Sequence, residues 1–223
     1  MAWFSRVTRF GDVHFVYAQE AENSCGIASV VMTVFKINKL VPGAAALHRE
    51  REVYRHYSAV TGSTYDGSAY SFADDLASVL NCLNVGTWEG KFIGASNVSQ
   101  AIVDSVGVDT PGLSLLAGPL APAAYVGNQL RQRIPIIVLV GWNAGGAHFV
   151  VVDTVNNTPF GMYASVCDPW DGNVHITGFR TGSAFNYVGA PVPLSWDLGG
   201  RRHDYSTTSP GSPNGWVVRR ISR

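Results

Sequence analysis

The feature that most constrains the fold of this chain is Ile134–Val140, a run of β-branched and aliphatic residues interrupted only by Pro135. Such a run is typical of a buried strand. A glycine-rich turn over 141–147 follows, and a second strand is predicted over 148–153. If such neighbouring strands pair through short connections, they form an antiparallel sheet. Three further strand patterns extend the sheet, over 162–168, 174–179 and 216–221.

The first half of the chain has the spacing of apolar residues that is typical of helices. Helices are predicted over 25–35, 44–57, 71–80, 97–106 and 123–133. The mixed charges of the second helix are expected on a solvated face, and Ser71 is expected to cap the third. A short strand, Asp12–Tyr17, precedes all of them. Helices followed by an antiparallel sheet predict the α+β class.

Composition excludes several classes of protein. With 223 residues, of which 46% are hydrophobic and 14% charged, the chain is expected to be globular. Its net charge of zero does not favour a nucleic-acid partner. No apolar run has the length of a membrane span and no signal peptide is visible, so we expect synthesis in the cytoplasm, with signal-independent export left open. Three scattered cysteines predict neither a disulfide framework nor a zinc site, and we expect no metal and no cofactor.

One of these cysteines lies where a reactive thiol is useful. Cys25 opens the first apolar helix, directly after Ser24, a good N-cap residue. A helix N-terminus favours negative charge, and the thiolate is the nucleophilic form of cysteine. Gly26 is expected to leave room beside the thiol for a substrate backbone. Six residues before Cys25, Gln19 could donate its amide, together with the Cys25 N–H, to a developing oxyanion. On its own, a cysteine of this kind is more often a small buried hydrophobe.

The other parts of a thiol site lie on two neighbouring predicted strands. His148 begins one strand and Asp168 ends the next. In an antiparallel pair the start of one strand lies beside the end of the other, so these two side chains are expected within hydrogen-bonding reach. Asp168 would hold one imidazole nitrogen while the other takes the proton of Cys25. Asp171, three residues further on, is the alternative orienting acid.

With these residues the chain resembles papain-like cysteine peptidases, and is most similar to the bacterial peptidases that process double-glycine leaders and to related effector proteases. The matching segments are Gln19–Cys25, Ser24–Gly26, Gly146–Val152 and Asp168–Gly172. The resemblance implies one catalytic domain over 1–223. A helical lobe over about 1–133 would carry the nucleophile helix, packed on an antiparallel sheet lobe over about 134–223.

The resemblance also implies roles for single residues. Cys25 would be the nucleophile, His148 the base, Asp168 the orienting acid and Gln19 the oxyanion donor. Trp170 resembles the tryptophan that shields the bond between histidine and acid, although a plain core aromatic explains it equally well. Substrate contacts are expected at these residues: Gly26, Trp142, Gly146, Ala147 and Trp170.

The expected activity is cleavage of a peptide or protein substrate through a thioester acyl-enzyme. The same site could instead serve deamidation, isopeptide cleavage or acyl transfer. A catalytically silent papain-like fold used for binding is the alternative from another class, and its mark would be the loss of one of the four site residues. The resemblance further suggests a bacterial effector or toxin, with an activating or inhibitory protein partner.

Overall fold

The computed structural model describes residues 3–8, 10–38, 49–109, 134–142, 146–181, 196–197 and 211–222. The helix predicted over 123–133 lies outside these ranges. Within them the chain forms four helices: α1 (Cys25–Asn38), α2 (Glu50–Thr61), α3 (Ala73–Cys82) and α4 (Ala95–Val106). The strands are β1 (Trp3–Val7), β2 (Val13–Tyr17), β3 (Thr87–Phe92), β4 (Ile136–Trp142), β5 (Ala147–Thr158), β6 (Gly161–Asp168), β7 (Asn173–Phe179), β8 (Trp196–Asp197) and β9 (Gly211–Ser222). The predicted α+β class is therefore confirmed.

The main sheet has six antiparallel strands in the order β3-β9-β4-β5-β6-β7. The last four strands of this order follow the chain, since β4, β5, β6 and β7 are consecutive antiparallel neighbours. Cys167, near the end of β6, lies opposite Val151 of β5. The end of β6 is thus placed beside the first half of β5. A second, three-stranded sheet has the order β2-β1-β8.

Helices cover both faces of the main sheet, which explains the continuous apolar run of β4. Ile137 faces the larger core cluster, which also contains the buried residues of α1, α2 and α3. Ile136 and Val138 face the second cluster, which contains the apolar side of α4. Because successive side chains of a strand point to opposite faces, both sets of positions must be apolar.

α1 is the most deeply buried helix of the described chain. Its residues from Gly26 to Val34 are all buried, and it contacts β5 of the main sheet. A helix surrounded in this way by the core holds its first residue, Cys25, in a fixed position relative to the strands.

Three strands were not predicted from the sequence: β1, β3 and the two-residue β8. β1 pairs with β2 as a hairpin, and β3 pairs with β9 at the edge of the main sheet. β3 thus brings a segment from the mainly helical part of the chain into the main sheet. The prediction of Ser71 as a helix cap is wrong, because α3 begins after Phe72 and no side chain caps it. In the described part of the chain, no helix combines the length and the apolar character that crossing a lipid bilayer requires.

Candidate active site

The centre of the candidate site is a hydrogen bond between two buried side chains on β5 and β6. His148 Nε2 lies 2.7 Å from Asp168 Oδ1. His148 is 4% exposed and Asp168 is fully buried. The antiparallel pairing allows this contact, because Cys167 lies opposite Val151 and Asp168, the next residue of β6, is displaced from there towards the start of β5, where His148 lies. A charge-assisted bond of this length, away from water, orients the imidazole strongly.

The thiol of Cys25 completes the arrangement. It lies within hydrogen-bonding reach of the His148 side chain, whose Nε2 is held by Asp168. Cys25 is the first residue of α1 and is partly exposed, whereas the rest of the helix turns into the core. Its backbone N–H belongs to the first turn, where the helix itself supplies no acceptor. The thiol is therefore open to a reagent on one side and faces an imidazole on the other.

The charges around His148 favour its protonated form. Burial lowers the pKa of His148, but the Asp168 carboxylate and the Cys25 thiol outweigh this effect and raise it to about 10. An imidazolium that persists at neutral pH is the natural counter-ion for a thiolate at Cys25.

Trp170 covers this pair from the turn after β6. Its backbone N–H donates to Asp168 Oδ1 over 2.6 Å, so one carboxylate oxygen receives both the imidazole and this amide. The indole ring is perpendicular to the imidazole of His148, with ring centroids 6.3 Å apart. Trp170 thus contacts the base directly and fixes the acid at the same time.

The alternative acid, Asp171, has a different partner. Asp171 Oδ1 accepts from the backbone N–H of Asn173 and lies 3.4 Å from Nε2 of His175 on β7. Burial raises the pKa of Asp171, and the hydrogen bonds from His175 and Asn173 counteract part of this effect. The geometry assigns the contact with His148 to Asp168.

The side-chain amide of Gln19 is engaged within the loop that leads to Cys25. Nε2 donates to the backbone carbonyls of Ala21 and Glu22, at 2.8 and 2.9 Å, so both of its hydrogens are used within the loop. Exchanging the amide oxygen and nitrogen would place three oxygens together, which supports this orientation. The backbone N–H of Gln19 donates to Pro169 and joins the loop to the turn that carries Trp170. The side chain would have to rotate before it could donate to an oxyanion.

The expected room beside Gly26 is already occupied by the protein. A Cβ at this buried position would lie 3.0 Å from Leu76 Cδ1, 3.1 Å from Phe149 Cδ2 and still closer to Ser71 Oγ. Glycine is required here so that the start of α1 can approach β5 and the segment before α3. In the direction that a Cβ would take, the expectation that Gly26 makes space for a substrate backbone is therefore wrong.

The other expected substrate contacts lie at the ends of β4 and β5. Gly146 and Ala147 are exposed and directly precede His148. Gly146 has φ 92°, a backbone conformation that favours glycine. Trp142 ends β4 and pairs with Gly211 of β9, but its side chain is outside the described part of the structure. Gly146 and Ala147 are therefore exposed next to His148, where they could contact a molecule that binds at Cys25.

A buried carboxylate that contacts the loop before Cys25, that of Glu50, was not identified from the sequence. Glu50, the first residue of α2, is fully buried, so the prediction that the charges of this helix are solvated is wrong for this residue. Its spacing from the buried Val53 and Tyr57, at positions i+3 and i+7, places it on the inner face of the helix. That pattern could have revealed its burial from the sequence.

Among the described residues, one further group has ligand atoms of the types that bind metals. His14 Nδ1, an oxygen of Asp153 and Cys167 Sγ lie within 4.8 Å of one another. Lys36 Nζ, however, contacts the same Asp153 oxygen and lies 3.2 Å from Cys167 Sγ. A metal ion could bind only if this ammonium moved away. As it stands, the group is a largely buried ion-pair network that ties the C-terminal end of α1 to β2, β5 and β6.

No model of a known protein family matches the chain, and no curated protein sequence is significantly similar to it.

Proposed function

We propose that this chain is a papain-like cysteine peptidase that cleaves a peptide or protein substrate through a thioester acyl-enzyme. The observation that carries the proposal is the connected series of three side chains. A partly exposed thiol at a helix N-terminus faces an imidazole, and a buried carboxylate holds the imidazole at 2.7 Å. This is the arrangement that nucleophilic acyl transfer requires.

In the proposed mechanism each residue of the series has one task. The Cys25 thiolate attacks the scissile carbonyl carbon, and the His148 imidazolium donates its proton to the leaving amine. Asp168 keeps the ring in the orientation that places the proton on the side of the substrate. A water then attacks the thioester, with neutral His148 as the base, and releases the acid product and the thiol.

The oxyanion of the tetrahedral intermediate is stabilised at the start of α1. The Cys25 N–H is the donor that the present geometry offers, supported by the positive end of the helix. Gln19 adds a second donor after its amide turns away from the carbonyls of Ala21 and Glu22. Trp170 excludes water from the bond between His148 and Asp168.

The test is product analysis with a peptide library rich in glutamine. The wild-type chain, Cys25→Ala and Cys82→Ala are compared, because Cys82 is an exposed cysteine outside the site. New peptide termini with wild type and Cys82→Ala, absent with Cys25→Ala, support a peptidase. Cleavage that persists in Cys25→Ala refutes it. Conversion of Gln to Glu, or peptide ligation, without cleavage would assign the same site to deamidation or acyl transfer.

A further inference from the structure

Glu50 is joined to both ends of the loop that precedes the candidate nucleophile. Its Oε1 accepts from the backbone N–H of Glu20 at 2.8 Å and from the Ser24 hydroxyl at 2.9 Å. Glu20 directly follows Gln19, and Ser24 directly precedes Cys25. One carboxylate oxygen therefore fixes the two residues that flank the loop between the proposed oxyanion donor and the nucleophile.

The other contacts of Glu50 hold the carboxylate itself in place. Oε2 accepts from the Tyr54 hydroxyl at 2.6 Å, one turn along α2. The Glu50 backbone N–H donates to the Tyr17 hydroxyl at 3.3 Å, and this hydroxyl donates in turn to the Glu20 side chain. Because Glu50 is fully buried, water cannot take the place of the carboxylate as acceptor for these donors if the carboxylate is lost.

We propose that Glu50 is a positioning residue that sets the geometry of the Gln19–Cys25 loop and thereby of the nucleophile and the oxyanion donors. This role rests on the proposed peptidase function for its catalytic consequence, but the structural link does not depend on it. Glu50 does not touch the reacting atoms; it acts through Glu20 and Ser24. With Glu50 ionised, the loop N–H and hydroxyl have a strong acceptor, whereas a protonated carboxyl must give up part of that capacity.

The burial of Glu50 brings the ionisation of its carboxyl into an observable range near neutral pH. Burial raises the pKa of Glu50 to about 7, with the negative charge of Glu20 adding to the effect and the donors from Tyr54, Glu20 and Ser24 opposing it. The facing groups are Tyr17 of β2, Glu20 of the loop, Tyr54 of α2 and Tyr65 of the segment after α2. The pKa of each of these tyrosines is raised, so they stay neutral in this range.

The first measurement follows the backbone amide resonances of the full chain against pH by NMR. The Glu20 amide proton should shift with a midpoint near pH 7, because its acceptor gains charge there. Glu50→Gln should abolish this inflection, whereas Glu52→Gln, a control in the first turn of the same helix, should retain it. An unchanged inflection in Glu50→Gln would overturn the proposal, whether or not the chain is a peptidase.

The second measurement separates positioning from simple loss of stability. Glu50→Ala should lower kcat for peptide cleavage at least about tenfold with KM little changed, since a small displacement of reacting groups costs such factors. Glu50→Gln keeps an acceptor oxygen and should restore kcat to within about threefold of wild type. Equal kcat for Glu50→Ala and wild type would refute the positioning role. If wild type shows no turnover, the proposed function fails, and the amide titration still decides the structural link.

Discussion

Replacing Asp168 by Asn tests the electrostatics of the candidate site without changing its shape. In the wild type, His148 Nε2 and the Trp170 nitrogen lie 2.7 and 2.6 Å from Asp168 Oδ1. The amide oxygen of asparagine can still accept from both groups, so the change removes mainly the charge. Two unit charges about 4 Å apart interact by about 4 kcal/mol at an effective dielectric constant of about 20. At about 1.4 kcal/mol for each pH unit, the pKa of His148 should fall by about three, from about 10 to about 7.

The assay is NMR titration of the His148 ring carbons and nitrogens in wild type, Asp168→Asn and Asp171→Asn. Asp171 is also an aspartate, three residues further along the chain, but it contacts His175. Asp171→Asn should therefore leave the pKa of His148 close to its wild-type value. The reasoning is refuted if Asp168→Asn leaves the pKa of His148 unchanged, or if Asp171→Asn lowers it as much.

The same shift predicts how stability depends on pH. The pKa of His148 in the folded chain, about 10, lies above its ordinary value of 6.5, so the folded state binds the proton more tightly. The stabilisation from this pair is therefore fully present below about pH 6.5 and is lost as the pH rises towards 10. In Asp168→Asn this loss of stabilisation should be complete at a lower pH than in the wild type. Urea denaturation of both proteins across the same pH range measures the free energy of unfolding and so tests this.

Two predictions concern packing and buried charge, and both are measured by urea denaturation. Asp153→Ala should lower the free energy of unfolding by about 3–5 kcal/mol, since it removes the carboxylate that pairs with Lys36 and His14, whose side chains are only 11% and 1% exposed. Glu89→Ala, in an ion pair whose side chains are 27–28% exposed, should cost less than about 1 kcal/mol. Equal losses would contradict the buried network. Gly26→Ala should cost about 1–3 kcal/mol through close contact with Ser71, Leu76 and Phe149. Gly178→Ala, whose Cβ would meet Tyr163 at an ordinary 3.6 Å, should be nearly neutral. A neutral Gly26→Ala would show that α1 has room to move.

The parts of the fold that the sequence predicted are those governed by local pattern. β4, β5, β6 and β7 are consecutive neighbours, so their order needs no knowledge of distant segments. The juxtaposition of His148 and Asp168 follows from the same fact, because the two residues are only 20 positions apart and belong to adjacent strands. The helical pattern of α1 likewise placed Cys25 at a helix start.

What the sequence did not predict depends on contacts between distant segments. β3 is identified as a strand mainly by its pairing with β9, which lies far later in the chain. Glu89 of β3 and Arg219 of β9, which are paired in the sheet and joined by a side-chain hydrogen bond, are 130 residues apart in the sequence. The hydrogen bonds that compensate for the burial of the Glu50 carboxylate come from a loop that precedes it by 26 to 30 residues. The orientation of the Gln19 amide is set by two loop carbonyls, which no residue pattern encodes.

The measurement that tests the central claim most directly is the rate at which Cys25 is alkylated by iodoacetamide, located by mass spectrometry between pH 5 and 9. The account predicts that Cys25 reacts much faster than exposed Cys82 well below pH 8, and that His148→Ala abolishes this advantage. Labelling of Cys25 no faster than that of Cys82, or unaffected by His148→Ala, would contradict an activated thiol paired with that histidine.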